Sequence, residues 1–430
     1  MRRLWQGKLI PFLILLTVAL IVLSIALVER EPPRDPNVTA SNAADPAWTC
    51  GSSDHQLNKR FYANNALLED RAIDVPAPLQ SEPAQGDAKL HLDNALQLLS
   101  KEPYIQSFIV AKNNNIIFES YFNGMTGNNS VNIHSASKSI WGAATGIAIS
   151  KGILPSIDTP IKSLLPAHYG RYFNAANEAI TLKHLLTMSS CLKWDEDVTE
   201  RQLKYVSDPQ GNGRDWIAAI LDRGTRPRTE CTLGKTFGYS TGNSQLMSAI
   251  LQEGLKRKSR GQSTCEFVQA NLFDKIGITA DKWPFYEQGY FSGGHSLWLS
   301  PRELMKFGLL YLNNGRWNNS QIVPTEWVKN SKTAKVKCQS LDCSMSDASR
   351  VPDGYGYYFW LGKIGEHRVT MSWGYGGQLI YIFDDLNVVV VITTDTVGYT
   401  YENDDDETPE DKVMAYIERV MKEEVVEAVK

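Results

Sequence analysis

Ser135-Ala136-Ser137-Lys138-Ser139-Ile140-Trp141-Gly142-Ala143-Ala144-Thr145-Gly146-Ile147-Ala148-Ile149-Ser150-Lys151 is the stretch whose reading decides the fold. Past Ser139 small and apolar residues fall on most faces of a 3.6-residue period. Residues 135–151 are therefore expected to form one helix, central and buried on most sides. Its first turn is different in kind. Ser135 and Lys138 are three apart, so they share one face, one turn from each other. A serine hydroxyl is a weak nucleophile and needs an adjacent base. A lysine can be that base where burial and neighbours depress its pKa, and the N-terminus of an apolar helix offers both. The same helix start aims backbone N–H groups outward, where an oxyanion could be held. The plain alternative is a capping serine and a solvated lysine. Against it stand the Gly/Asn-rich loop 123–132 before the motif and the buried helix after it.

Working outward, residues 106–111 and 116–122 are β-rich and are separated by Lys112 and the run Asn113-Asn114-Asn115, a hairpin signature. Helical patterns cover 182–188, 216–221, 245–254 and 301–314, the last with Ser300 as N-cap and Pro301 at the first helical position. Residues 378–383 and 387–393 form two more β-rich runs joined at Asp384 and Asp385, and an amphipathic helix starts at Pro409. No internal repeat is visible. Strands at both ends of a mainly helical middle predict an α+β fold. One antiparallel sheet pairs its N- and C-terminal strands, and a helical region is inserted between them.

Residues 9–28 carry no charge, and twenty helical residues span roughly 30 Å, one bilayer core. Arg2, Arg3 and Lys8 precede them, which places the N-terminus in the cytoplasm and the remainder outside. A cleaved signal has a shorter apolar region and a small-x-small site. Here the full-length run leads into Glu29, Arg30 and Glu31 without one, so an uncleaved anchor is expected. The predicted organisation is an anchor (1–28), a Pro/Asn/Asp/Ala-rich stalk (29–88) and one domain (89–430), periplasmic or extracellular. All six cysteines (50, 191, 231, 265, 338 and 343) follow the anchor, which fits disulfides in an oxidising compartment. Cys338 and Cys343 are close enough for a small loop, the other four allow three pairings, and free buried thiols are the plain alternative. The chain of 430 residues has 44 Lys plus Arg against 48 Asp plus Glu, so no basic excess points to nucleic acid. With 43% hydrophobic and 21% charged residues it is neither disordered throughout nor polytopic. No Walker A, G-x-G-x-x-G, C-x-x-C or H-E-x-x-H motif is present, and the acidic run 402–407 reads as a solvated loop. No cofactor and no metal are expected.

Ser-x-Ser-Lys opening a buried helix resembles the S-x-x-K group of serine β-lactamases and penicillin-binding proteins. More closely, the chain resembles the class C β-lactamase-related hydrolases, a family that includes esterases, D-aminopeptidases and 6-aminohexanoate-dimer hydrolases. The resemblance runs from about residue 90 to about 395. Ile180-Thr181-Leu182-Lys183-His184-Leu185-Leu186-Thr187-Met188-Ser189-Ser190 resembles a family segment usually followed by Gly, where Cys191 stands here. Phe237-Gly238-Tyr239-Ser240-Thr241 resembles the second motif. Gly293-Gly294 through Leu297, with Ser300-Pro301-Arg302-Glu303-Leu304, resembles the stretch before the last strands. Ser372-Trp373-Gly374-Tyr375-Gly376-Gly377-Gln378 resembles the third, Gly-rich motif on a strand edge.

The resemblance implies a β-lactamase/transpeptidase-like fold. It implies Ser135 as nucleophile, Lys138 as base and Tyr239 relaying a proton to the leaving group, with Lys138 and Tyr239 coupled. One oxyanion donor would be the Ser135 N–H. The second would come from the strand carrying Ser372, Trp373, Gly374, Tyr375 and Gly376, with Tyr375 or Gly376 foremost. Two departures bear on substrate. Thr241 stands where a class C β-lactamase has Asn, and Ser372-Trp373-Gly374 stands near where Lys-Thr-Gly would grip a β-lactam carboxylate. Both favour an ester or small-amide substrate over a β-lactam or peptidoglycan. The competing classes are a penicillin-binding peptidase or β-lactamase, and a non-catalytic cell-wall-binding module.

Gly238-Tyr239-Ser240-Thr241-Gly242 also matches G-x-S-x-G, the nucleophile elbow of α/β-hydrolases, with His295 or His367 as a possible triad partner. That reading requires a buried strand before Ser240, and residues 229–236 do not read as one. His134 is expected to pack or cap, since neighbours on a helix do not face each other. His295 is expected either to line the pocket or to be a satisfied buried histidine. Asp195, Glu196 and Asp197 are expected in a solvated loop.

Overall fold

The computed structural model describes residues 79–194, 196, 215–258, 262–283, 289–338, 352–396 and 409–430. They belong to the second of two compact units, Ala47–Lys430. The expected anchor, most of the stalk, Cys50, Cys343, Asp195, Asp197 and the acidic run 402–407 lie outside the described residues. Among the described residues no helix is long and apolar enough to cross a membrane.

Strands β1 (Ile105–Lys112) and β2 (Asn115–Tyr121) form the expected hairpin. Its two-residue turn, Asn113-Asn114, has φ of 53° and 69°, the left-handed pair that asparagine tolerates and that matches strand twist. Two short ribbons pair β3 (Val131–Asn132) with β4 (Trp298–Leu299) and β5 (Arg316–Trp317) with β6 (Ser320–Gln321). The remaining strands are β7 (Val336–Lys337), β8 (Pro352–Tyr355), β9 (Trp360–Ile364), β10 (His367–Gly374), β11 (Gln378–Phe383) and β12 (Val388–Thr394). With β1 and β2 they make one eight-stranded antiparallel sheet in the order β2-β1-β12-β11-β10-β9-β8-β7. The first and last strands of the domain pair as expected, with Phe108 opposite Ile392.

β12 reads Val-Val-Val-Val-Ile-Thr-Thr and is buried at every position, because the sheet is covered on both faces. Helix α1 spans Gly86–Leu99, α2 Ser137–Ser150, α3 Thr241–Lys258, α4 Pro301–Leu312 and α5 Pro409–Val420. α4 begins with the expected cap: Ser300 and Glu303 exchange capping-box hydrogen bonds around Pro301. It lies so close to the sheet that a Cβ on its Gly308 would sit 2.5 Å from Val389 Cγ1. Thr394 is five residues from Val389 along the strand and so points to the opposite face. There Gly377 approaches Thr394, Ile417 and Met414, and the Tyr416 hydroxyl donates to Leu98 O at 2.6 Å. The α5 region and α1 thus cover the second face.

α2 is the central helix. Residues 137–148 are all buried. Its glycines are sites of close approach: a Cβ on Gly142 would meet the Tyr357 carbonyl at 3.0 Å, and one on Gly146 would enter the Trp327 indole at 2.5 Å. The expected single helix 135–151 in fact starts with a separate 3₁₀ turn, His134–Ala136. Cys191 and Cys231 form a disulfide with Cα atoms 5.7 Å apart. Cys265 and Cys338 are also disulfide-bonded, and no described cysteine is free.

Candidate active site

The turn that carries Ser135 is built from both sides. His134 enters it at φ 45°, a left-handed value, with its N–H held by Asn132 Oδ1 at 3.0 Å. Ala136 N–H closes the turn on the Ile133 carbonyl at 3.0 Å, and the Ser137 hydroxyl donates to the His134 carbonyl. The end of β10 presses against the turn from behind. A Cβ on Gly374 would stand 2.2 Å from Ile133 O and 3.1 Å from Ala136 N, so only glycine permits this approach. Ser372 Oγ donates to the Ala136 carbonyl at 3.2 Å.

Lys138 is 1% exposed, and its Nζ has three acceptors: Ser135 Oγ at 2.9 Å, Thr241 Oγ1 at 3.1 Å and the Gly294 carbonyl at 2.8 Å. An ammonium has three donors, so this cradle satisfies it fully. As a neutral amine it has a lone pair for the Ser135 proton. The Gly294 carbonyl reaches Nζ because its loop lies on the start of α3, where a Cβ on Gly293 would sit 2.0 Å from Ser244 O.

Tyr239 lies two residues before α3. Its ring centroid is 4.8 Å from Lys138 Nζ and stacks on Trp360 at 5.4 Å with an 18° interplanar angle. Trp360 in turn lies 6.0 Å from Trp373, which is buried on β10. Sequence positions 135, 138, 239 and 241 therefore meet in one place. Glu196 corrects the solvated-loop reading: its Oε1 accepts the Thr241 N–H at 2.6 Å, at the start of α3. Asp195-Glu196-Asp197 carries no local signal for this, because the contact is set by chain return and not by spacing.

Past Gly374 the chain turns through Tyr375, Gly376 and Gly377, the glycines at φ 80° and 100°. Tyr375 is half-buried and meets the His134 ring edge to face at 5.6 Å; the Gly376 carbonyl accepts from Thr394 Oγ1 at 2.6 Å. His134 packs as expected and also contacts Thr396 Oγ1 at 3.3 Å. His295 lies beside Ser296 Oγ at 2.6 Å. Burial lowers His134 to about 3, helped by His295 and Lys138, and lowers His295 to about 4, helped by Lys138. Both imidazoles are thus neutral at pH 7 and add no charge beside Lys138.

Ser240 does not sit on an elbow. No strand is present in the described residues 215–239 that lead into it, it is 2% exposed, and its Oγ accepts the Asn243 N–H at 3.2 Å as a helix-start cap. His367 pairs with Asp385 at 2.7 Å at the far end of β10, roughly 23 Å from Gly374 by strand rise. Among the described residues no cluster of three or more His, Cys, Asp or Glu side chains is placed to hold a metal.

A family model described as Beta-lactamase matches residues 106–413, more than two-thirds of the chain. Solved structures share the fold at low identity. A Bacillus anthracis protein assigned as a 6-aminohexanoate-dimer hydrolase superposes with a TM-score of 0.61 and 19% identity, covering 91% of this chain and 98% of its own. An octameric penicillin-binding protein homologue from Pyrococcus abyssi gives 0.57 and 16%, covering 80% and 79%. FmtA from Staphylococcus aureus gives 0.54 and 14%, covering 83% and 92%. No curated protein sequence matches the chain.

Proposed function

Because the chain belongs to the beta-lactamase family of serine hydrolases, we propose that Ser135 is its nucleophile and that it cleaves an ester or small amide through an acyl-enzyme. The observation that carries this reading is the Lys138 cradle. One buried Nζ touches the Ser135 hydroxyl and is fixed by Thr241 and Gly294, beneath the ring of Tyr239.

In the neutral form Lys138 accepts the Ser135 proton as Oγ attacks the carbonyl carbon. The oxyanion is received by the Ser135 N–H and by a second N–H from Tyr375 or Gly376. Tyr239, beside Lys138, delivers the proton to the leaving oxygen or nitrogen as that bond breaks. Water then attacks the acyl-serine ester, and its proton returns through Tyr239 and Lys138 to restore Ser135 and release the acid.

Two features support an uncharged acyl group. Ser372-Trp373-Gly374 carries no cation, and the Ser372 hydroxyl is engaged by Ala136 O. The aromatic row Tyr239, Trp360 and Trp373 offers an apolar wall. The proposed setting is a single-pass protein anchored by residues 9–28, its catalytic domain in the oxidising space beyond the membrane.

Turnover of p-nitrophenyl esters by the full chain in detergent tests the reading. It predicts hydrolysis that Lys138→Ala abolishes, and no stable adduct with a labelled β-lactam. A β-lactam adduct on Ser135 would move the chain to the penicillin-binding peptidases. No turnover of any ester or amide would leave the binding-module reading.

A further inference from the structure

Tyr239 is held in place by a strap, residues 188–193, that runs back along the segment leading to it. Gly238 N–H donates to Met188 O at 2.8 Å and Gly234 N–H to Ser189 O at 2.9 Å. Arg226 N–H donates to Cys191 O at 2.8 Å and Lys193 N–H to Gly224 O at 2.9 Å, around a bridge between Leu192 and Thr225. Ser190 Oγ donates to Asn243 Oδ1 at 2.7 Å, tying the same strap to α3. The covalent tie across these two segments is Cys191–Cys231, eight residues before Tyr239.

The strap has an unfavourable backbone at that tie. Cys191 has φ 59°, the left-handed region that glycine enters freely and a side-chain-bearing residue enters at a cost. Met188, three residues earlier, has φ 52°. An unbridged cysteine at 191 would tend to leave that conformation, carrying with it the carbonyl that Arg226 uses. Cys191 is half-buried and Cys231 is buried, so Cys191 is the end of the bridge that a reductant can approach.

We propose that the Cys191–Cys231 disulfide is a positioning device for Tyr239: it holds residue 191 in a glycine-like backbone, and its reduction detunes the proton relay without dismantling the fold. This rests on the serine-hydrolase reading of the same site. Reduction takes two electrons and two protons from a dithiol, which closes to its own disulfide while Cys191 and Cys231 become thiols. Tyr239 then drifts from Lys138, and since a shift of about 1 Å in catalytic geometry can cost about 100-fold, kcat should fall by roughly 10- to 100-fold. KM should change little, because Tyr239 acts in proton transfer.

The test uses the full chain in detergent, with dithiothreitol as the dithiol and thiol counting by mass. Three proteins are compared: wild type, Cys191→Ala/Cys231→Ser and Cys191→Gly/Cys231→Ser. Oxidised wild type should label at Ser135 with a fluorophosphonate; absence of that label would sink the hydrolase reading itself. Given the label, reduced wild type and the Ala/Ser protein should both lose kcat at unchanged KM, with a displaced limb in the pH–rate profile. The Gly/Ser protein should keep the oxidised kcat and ignore dithiothreitol, since glycine holds the left-handed backbone unaided. Full kcat in the Ala/Ser protein overturns the proposal. So does equal sensitivity of the Gly/Ser protein to dithiothreitol, which would assign the effect to the other disulfides.

Discussion

Gly374→Ala puts a methyl group where the end of β10 meets the Ser135 turn. The new Cβ would begin 2.2 Å from Ile133 O, 3.1 Å from Ala136 N and 3.2 Å from Gln378 Cβ. A carbon approaches a carbonyl oxygen to about 3.3 Å, so strand and turn must separate by about 1 Å. The atom struck is the acceptor of the Ala136 N–H bond that closes the turn around Ser135. Overpacking of this kind costs about 1–3 kcal/mol of stability. In the proposed mechanism, a displacement of about 1 Å between Ser135 and the second oxyanion donor should lower acylation about 100-fold. The assay is the burst-phase acylation rate of the full chain with a p-nitrophenyl ester, read beside the melting temperature. Gly365→Ala is the control: Gly365 has φ 59° with nothing within 4 Å of a Cβ. It should lose about 1 kcal/mol through backbone strain and acylate normally. Wild-type acylation by Gly374→Ala would refute the claim that the β10 end and the Ser135 turn form one preorganised unit.

Thr241→Val removes one of the three Lys138 acceptors while keeping shape, and an unmet buried donor costs about 1–3 kcal/mol. The expected result is a roughly 10- to 100-fold loss of kcat, restored by Thr241→Ser; an unaffected Val variant would exclude Thr241 from the cradle. Glu196→Ala should lower stability in urea by about 1 kcal/mol by freeing the Thr241 N–H at the start of α3, whereas Glu196→Gln keeps an acceptor and most of the stability. His134 and His295 bind protons less readily folded than unfolded, at about 3 and about 4 against an ordinary 6.5. Their contribution is therefore full above pH 6.5 and is lost as pH falls from there toward 4 and 3. The melting temperature should drop from pH 7 to pH 4.5, less so in His295→Asn; equal drops in both would remove His295 from the explanation.

The outline of the fold was legible because its signals are local. The Asn113-Asn114 turn, the unbroken Val388–Thr394 run and the Ser300-Pro301-Glu303 cap each follow from a few adjacent residues. β8, β9 and the start of β10 carry charges, glycines and scattered aromatics without a clean period, and they form strands because β11 gives the sheet an edge to extend. Ser135 and Lys138 could be paired from helical spacing alone. Tyr239 came from resemblance, since nothing in the chain between residues 138 and 239 says that they meet. Gly294 O, Glu196 and the Gly374 contact were illegible for one reason: each joins segments more than forty residues apart through backbone atoms or a carboxylate whose partner only the folded chain reveals. The G-x-S-x-G match shows the converse: the local pattern is present, but residues 229–236 do not read as the strand it needs, and none leads into Ser240.

The central claim is that Ser135 is the nucleophile, and covalent capture tests it most directly. The full chain in detergent is treated with a fluorophosphonate and read by intact mass and peptide mapping, alongside Ser135→Ala and Ser240→Ala. The account predicts one adduct, on Ser135, absent from Ser135→Ala and undiminished in Ser240→Ala. An adduct that survives in Ser135→Ala and disappears in Ser240→Ala would contradict it.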